Sequence, residues 1–420
     1  MKKSVIFAVV MRRVCLLSIL FCLFPFMCAG EENGDDKGRF LDAVTLYGRG
    51  EFEASSKVLD SLYNTGSVSD AVCYYLGLCE AARGNAANSV KMLQEAVSRD
   101  TLNVWYLSAL ASVYEAGEQW LPLAHTCEQL IKLDPAHFAE PYFYAKTGNA
   151  FSQAREPVPA AEYLDRALAI MPDMPMALFN RAGVALIREE YENFFEFAGR
   201  LMRVSELDAD WKYKYLSSMV SSIPAQTLQE WKEPMLQLCA SACDTHPDYL
   251  RLHVFRQGVA YVVKDYRTVI NEAEKIISLS GGDEDTFESM TQLIGDAYME
   301  LGDQKSCFAA YEKVLKHNPG SIVTLNNYAY ALSLAGKNLG KALKMSARVI
   351  ADSPENATYL DTYGWILHRM GRNAGAKEVF QRAMLFGGRN EKVILSHYAE
   401  VLRALGDNDL AAYYESLAAK

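Results

Sequence analysis

Residues 288–384 carry one pattern of apolar and polar positions almost three times over. In the last copy, Leu360 and Leu367 lie at helical spacing on either side of Gly364, and a second apolar stripe follows a turn at Gly371. Two amphipathic stripes joined by a short turn predict a helical hairpin. The earlier copies lie 35 and then another 34 residues upstream, and so short a period predicts a solenoid of stacked hairpins.

A small residue recurs at the same place in each copy, as Gly295, Ala329 and Gly364. A larger side chain there would hold the first helix away from the second, so this position predicts a close helix crossing. One hairpin leaves an apolar face in water, and only the next hairpin in the array covers it. The pattern therefore predicts an all-α chain in which each hairpin depends on its neighbours.

These residues resemble the consensus of the tetratricopeptide repeat family, which has L-G-x2-Y, then A-x3-F, then P over about 34 residues. The matching residues are Ile294-Gly295-x2-Tyr298, Cys307-x3-Tyr311 and Pro319, and in a later copy Tyr363-Gly364-x2-Leu367 and Ala376-x3-Phe380. The resemblance implies a right-handed α-solenoid of about 10–11 repeats. It also implies that the first helices line a concave groove for a protein or peptide partner.

The repeat signal is uneven along the chain. Ala182 and Gly295 both occupy the small-residue position, but between them Pro224 and Pro234 interrupt the helical runs and the period fails. We therefore expect one irregular repeat within the array. The predicted divisions are a flexible linker at 31–37, an N-terminal array at 38–205, an irregular repeat at 206–250, and a C-terminal array with a capping hairpin at 251–420.

Residues 1–30 differ from the rest of the chain. Arg12 and Arg13 precede an uncharged apolar run, and small residues follow that run, which predicts a secretory signal peptide cleaved near Gly30. Translation from Met11 would give a shorter leader of the same kind. The apolar run is shorter than the roughly 20 residues that span a bilayer. We therefore expect an exported chain that is periplasmic or associated with the cell envelope.

Cys28 leaves a second interpretation open, because it ends the apolar run and acidic residues follow it. Acylation of this cysteine would tether the chain to a membrane. Against this, Met27 directly precedes the cysteine, where such sites favour a small residue. The first hypothesis is thus an exported binding scaffold in cell-envelope assembly or organisation. The alternative is a lipid-anchored repeat protein that helps to assemble or secrete an envelope component.

The chain is acidic, with a formal net charge of −10. Loss of the leader, which has four basic residues and no acidic one, would bring the net charge to −14. Such a body repels phosphate backbones, and no basic stripe with interleaved aromatic residues offsets the repulsion. Nucleic-acid binding is therefore disfavoured.

Familiar catalytic motifs are missing: the chain has no P-loop, GxGxxG, HExxH or GxSxG. We expect no enzymatic activity, no cofactor and no resident metal. A remote alternative is a metal-dependent enzyme at Cys239, Cys243 and His246, with His253 seven residues further on, although this spacing matches no usual zinc pattern. The cysteines outside the leader stand where repeats carry small apolar side chains, so we expect buried thiols.

The groove surface follows from helical spacing within the unit at 357–384. Leu360, Gly364 and Leu367 face the second helix, so the residues at i, i+4, i+7 and i+8 from Asp361 share another face. An aromatic residue flanked by charges there suits a peptide contact. A second interpretation is that Trp365 and Tyr330 pack between adjacent first helices. The predicted partner-binding residues are Asp361, Trp365, His368, Arg369, Asn326, Tyr330, Gln292, Asp296, Glu400 and Arg403.

Overall fold

The computed structural model describes residues 34–66 and 68–419. Over these residues the chain is built of α-helices and contains no strand, which confirms the predicted all-α fold. Within the same residues no helix is both long and apolar enough to cross a bilayer. The predicted signal peptide at 1–30, with Met11 and Cys28, lies outside the described residues.

The chain divides into two units, the first ending at Leu201 and the second beginning at Met202. The helices that begin in the first unit pair into five hairpins, and one short extra helix, α7, stands between the third and fourth. These helices are α1 (Gly34–Gly48), α2 (Phe52–Asn64), α3 (Asp70–Ala82), α4 (Ala86–Arg99), α5 (Val104–Ala116), α6 (Trp120–Leu133), α7 (Pro135–Phe138), α8 (Pro141–Gln153), α9 (Pro157–Ile170), α10 (Pro175–Ile187) and α11 (Tyr191–Arg203).

The second unit contains six hairpins, the first of which has a short helix, α13, between its two long helices. Its helices are α12 (Ala209–Ser221), α13 (Ala225–Glu230), α14 (Lys232–Thr245), α15 (Leu250–Val262), α16 (Tyr266–Leu279), α17 (Glu284–Glu300), α18 (Gln304–His317), α19 (Ile322–Leu334), α20 (Leu339–Asp352), α21 (Ala357–Arg369), α22 (Asn373–Leu385), α23 (Lys392–Ala404) and α24 (Asn408–Ala418). Eleven described hairpins match the predicted 10–11 repeats. The predicted boundaries at 205 and 250 stay predictions.

The start of the first helix corrects one expectation. α1 begins at Gly34, so residues 34–37 of the predicted flexible linker at 31–37 are helical. Asp35 and Asp36 lie in the first turn, where their negative charges interact favourably with the positive end of the helix dipole and stabilise the helix. Arg39 then donates to the Ser61 hydroxyl at 2.7 Å, which ties the beginning of α1 to α2.

The hairpin turns repeat one backbone feature. Two residues after the first helix of most hairpins, the chain enters the left-handed region, for example at Gly302 (φ 75°) and Gly371 (φ 76°). Glycine adopts this conformation without steric cost, which explains its recurrence there. Four hairpins use other residues at the same point: Glu118, Arg155, Glu189 and Lys264.

The close helix crossings lie where the small residues predict them. A methyl group added at Gly295 would stand 2.6 Å from Cε1 of Tyr311, and one added at Gly364 would stand 2.8 Å from Cε2 of Phe380. No real Cβ tolerates so short a contact unless the neighbour moves. The same contact recurs in the first unit between Gly77 and Leu93 and between Gly148 and Leu164.

One hairpin departs from this rule. In the hairpin α17–α18 the small residue Gly295 precedes the left-handed Gly302 by a fixed interval. In the hairpin α15–α16 the left-handed residue is Lys264, and the same interval places Gln257 at the small-residue position of α15. Gln257 is 7% exposed, whereas the adjacent Gly258 is exposed and has no atom within 4 Å of a Cβ built on it. The hairpin α15–α16 therefore accommodates a buried amide where its neighbours have glycine or alanine.

The cysteines behave as expected. All six described cysteines are free and buried. Burial also raises the pKa of the Cys307 thiol to about 11, so it is protonated at neutral pH. Cys307 packs against Tyr311 and Tyr328 in the core of the second unit, where a small apolar side chain is required.

Lys212 on α12 is a buried cation in the first hairpin of the second unit, which the short helix α13 interrupts. It has no exposed surface, and its ammonium donates to the Thr245 hydroxyl of α14 at 2.7 Å. Burial lowers the pKa of Lys212 to about 8, because an ammonium loses its hydration there. The charged form of this lysine therefore opposes folding at neutral pH.

Gly295→Ala and Gly258→Ala form a matched test of the close crossing, because both glycines lie on first helices of the second unit. We expect Gly295→Ala to lower the free energy of unfolding by about 1–3 kcal/mol, since the fully buried Tyr311 ring must move. Gly258→Ala should raise it by about 0.4–1 kcal/mol, because it only restricts the unfolded chain. Urea unfolding followed by circular dichroism measures both, and equal effects would contradict the close crossing.

Lys212→Met tests the buried cation through pH. The folded pKa lies below the unfolded value of about 10, so between about pH 8 and 10 the unfolded chain binds more protons and wild-type stability rises with pH. We expect the variant to be more stable than wild type by roughly 1–3 kcal/mol at pH 7, and the difference to shrink toward pH 10. Lys214→Met, on the exposed side of α12, is the control and should change stability by under about 0.5 kcal/mol. A difference between Lys212→Met and wild type that does not vary with pH would contradict this account.

Candidate partner-binding surface

The ten predicted partner-binding residues lie on four first helices of the second unit: α17, α19, α21 and α23. Within this unit α17 contacts α19, α19 contacts α21, and α21 contacts α23. Because first helices in direct contact line one side of a repeat array, residues one repeat apart on them face each other. We call the surface formed by these four helices the inner face.

Trp365 lies at the centre of the inner face and is only 6% exposed. Its ring stacks on His397 of α23, with ring centroids 4.1 Å apart and an interplanar angle of 18°. His368, on the same helix as Trp365, has its ring centroid 5.1 Å from that of the indole. The indole therefore packs between adjacent first helices in this structure, and its Nε1 has no hydrogen-bond partner among the described residues.

Asp361 orients the histidine that stacks on Trp365. This carboxylate, 5% exposed, is 2.9 Å from His397 Nδ1. An ionised carboxylate only accepts hydrogen bonds, so Nδ1 of His397 carries the proton. The pair joins α21 to α23, and side-chain exposures of 13% for His397 and 7% for Asp361 shield it from water.

Gln292 and Asp296 of α17 are held by hydrogen bonds to neighbouring helices. Asp296 accepts from the Tyr311 hydroxyl at 2.5 Å and from the Asn327 amide at 3.1 Å. Burial raises the pKa of Asp296, and these hydrogen bonds offset part of the rise. Gln292 accepts from the Thr324 hydroxyl at 3.2 Å. Both predicted residues thus contribute to the contact between α17 and α19.

The two predicted residues of α19 differ in burial. Asn326 is 5% exposed and donates to the Asn327 side chain at 3.3 Å, while its own Oδ1 finds no partner within the described chain. Tyr330 is half-buried, and its ring centroid lies 6.2 Å from that of His397. Burial raises the pKa of the Tyr330 hydroxyl. The aromatic centre of the inner face therefore extends over three first helices.

The remaining predicted residues border this centre and face water. Arg369, Glu400 and Arg403 are exposed. Glu400 lies 3.5 Å from His368 Nε2, and Arg403 pairs with Glu415 of the last helix. The inner face thus has a buried aromatic centre and a charged border. That the ten residues bind a partner stays a prediction.

His397 is the residue that the repeat pattern leaves unassigned, although it contacts three of the predicted residues. Its partner Asp361 lies 36 residues upstream, which is about one repeat. This interval is the sequence signal that could have pointed to the contact, because residues one repeat apart on first helices face each other. His397, which no sequence motif singles out, therefore connects two helices in the fold.

The remote metal-enzyme alternative at Cys239, Cys243 and His246 needs a correction. His246 follows the end of α14, and its Nε2 lies 2.9 Å from the Leu207 carbonyl oxygen, so this nitrogen is engaged by the backbone. In the described part of the chain, the group of side chains able to share a metal is instead Cys243, His253 and Glu272. The metal-enzyme alternative at the predicted triad is therefore wrong in its ligand set.

The geometry defines the class of this protein as a helical-repeat array built of paired helices. Residues 290–320, which include the end of α17 and all of α18, match the sequence profile of the Tetratricopeptide repeat. This segment is similar to a tetratricopeptide repeat, and the predicted recognition is confirmed. Comparison with curated proteins gives no significant match.

Comparison with solved structures gives matches of low sequence identity. MamA from Desulfovibrio magneticus RS-1 is 16% identical, with 40% of this chain and 92% of that chain covered and a TM-score of 0.34. A tetratricopeptide repeat protein from Parabacteroides merdae ATCC 43184 is 12% identical, with 71% and 98% covered and a TM-score of 0.32. A structure of Naa15/Naa10 bound to HypK-THB is 14% identical, with 91% and 68% covered and a TM-score of 0.34.

Proposed function

We propose that the inner face binds an extended segment of another protein, and that the chain acts as a scaffold without a catalytic step of its own. The exposed border beside a buried aromatic centre supports the proposal most directly: Arg369 and Glu400 reach water, and Glu400 lies 3.5 Å from the His368 ring that packs against Trp365. Exposed charged groups around a rigid aromatic centre are groups that a bound segment can contact.

The border of the inner face suits a segment of mixed charge. Arg369 and Arg403 offer guanidinium groups, and Glu400 offers a carboxylate beside His368. Charges of both signs at the edge favour orientation of a bound segment more than raw affinity. The half-buried Tyr330 adds an amphipathic ring, of the kind that dominates many protein interfaces.

Site-directed photo-crosslinking at Arg369 tests the proposal. A photoreactive residue at Arg369 on α21 should capture one or a few discrete proteins from envelope extract, because this position borders the inner face. The matched control is the same photoreactive residue at Lys344, an exposed cation on the second helix α20. Mass spectrometry of the adducts then identifies the partner and the segment that it contributes.

Charge reversal supplies the quantitative arm of this test. Against the identified segment, Arg369→Glu should weaken binding at least about tenfold, equivalent to about 1.4 kcal/mol, whereas Lys344→Glu should leave it unchanged. Helicity by circular dichroism confirms that both variants fold. Equal crosslinking from positions 369 and 344, or equal affinity of the two variants, would contradict binding at the inner face.

We further propose that the chain is exported to the cell envelope. Support comes from the sequence alone: Arg12 and Arg13, the apolar run after them, and the small residues that end at Gly30. In this setting the scaffold would organise or assemble envelope components. The alternative is a lipid anchor at Cys28, with the same repeat array held at a membrane surface.

Intact mass of the protein recovered from its native cells separates these possibilities. We expect a chain that starts near Glu31, because the signal peptide is removed. A chain that starts at Cys28 and carries the added mass of acyl groups would establish the lipid-anchored alternative. Recovery of the full sequence with residues 1–30 intact would contradict both forms of export.

A further inference from the structure

Three buried ligating side chains from three successive helices converge in the second unit, on helices other than the four that form the inner face. Cys243 on α14, His253 on α15 and Glu272 on α16 place one potential ligand atom each within 4.8 Å of the others. Their exposures are 3%, 6% and 4%. We propose that these side chains bind one Zn²⁺ ion, which would link α14 to the hairpin α15–α16.

His253 has the orientation of a metal ligand. Its Nε2 lies 3.0 Å from the Pro247 carbonyl oxygen. A carbonyl only accepts, so Nε2 carries a hydrogen, and in the neutral ring Nδ1 then has the free lone pair. Ligating histidines commonly donate their second ring N–H to a carbonyl in this way, which fixes the tautomer.

The contact between His253 and Glu272 marks a position for a cation. Nδ1 of His253 lies 2.7 Å from Oε2 of Glu272, and two bare lone pairs repel at that distance, so without metal a proton is shared between them. A metal ion replaces this proton. Binding also removes the thiol proton of Cys243, so two protons leave as one divalent ion enters, and the charge of the cluster is conserved.

Arg256 supports the carboxylate without occupying the proposed position. Its Nη1 donates to Oε1 of Glu272 at 2.6 Å, while the other oxygen, Oε2, faces His253. Hydrogen bonds from outer groups to a ligating carboxylate are a regular feature of metal sites. Arg256 therefore holds the glutamate in place and leaves Oε2 available to the ion.

The ligand set selects the metal. Thiolate, imidazole and carboxylate together suit zinc, whereas calcium and magnesium prefer oxygen ligands alone. Three protein ligands leave a fourth position for water. Ligands about 2.0–2.3 Å from a tetrahedral zinc ion lie roughly 3.5 Å apart. Side-chain shifts of about 1 Å bring the three atoms to this spacing, with His253 Nδ1 and Glu272 Oε2 moving apart from 2.7 Å.

Metal titration of the purified full-length chain tests the site. After removal of metal with a chelator, we expect wild type to retain one Zn²⁺ per chain on dialysis, and Co²⁺ in its place to give a thiolate-to-cobalt charge-transfer band with intense tetrahedral d–d bands. Cys243→Ala and Glu272→Gln should bind at least tenfold more weakly. Cys307→Ala is the matched control, because Cys307 is an equally buried thiol outside the cluster and should leave binding unchanged.

The outcomes separate a metal site from a buried ion-pair network. Zinc below stoichiometry in wild type, or cobalt spectra without a thiolate band, would overturn the proposal and leave Glu272 as the partner of Arg256 and His253 only. Equal zinc binding by wild type and Cys243→Ala would also overturn it, because it indicates adventitious surface binding. Thermal unfolding adds a readout that needs no variant: zinc should raise the melting temperature of wild type, and no rise would count against the site.

Discussion

The fold depends on how closely the two helices of each hairpin approach. At Gly295 and Gly364 the first helix lies so near the second that the ring of Tyr311 or Phe380 occupies the space of a methyl group. This contact sets the distance between the helices, and therefore the shape of the face that the next hairpin must cover. A repeat array transmits such a local constraint from one hairpin to the next, because each hairpin is stable only against its neighbours.

Contact between first helices also determines how the inner face is built. Side chains predicted to bind a partner hold adjacent first helices together there: Asp361 and His397 join α21 to α23, and Trp365 packs against His397. The buried centre is thus already organised, while Arg369 and Glu400 remain exposed at its border. A bound segment would meet a preorganised surface, which reduces the ordering that binding requires.

Several large polar side chains are buried where the repeat pattern is weakest. Lys212 lies in the hairpin interrupted by α13, and Gln257 replaces the small residue in the next one. His253 and Glu272 are buried in that same hairpin. Proteins depart from local sequence rules mainly at functional or strained sites, and such departures need compensation elsewhere. In these two hairpins the Lys212 ammonium is held by Thr245, and Glu272 is held by His253 and Arg256.

The sequence by itself determined the hairpins, their number and the close crossings, because helical periodicity and small residues are local signals that recur at a fixed interval. It could not reveal that Arg155 and Lys264 adopt the left-handed conformation, since only packing of the flanking helices imposes it. The one-repeat interval alone could not single out His397 as the partner of Asp361, and no interval pointed to the contact of Glu272 with Cys243. Those contacts join different hairpins, and the tertiary structure alone decides which side chains of neighbouring helices meet.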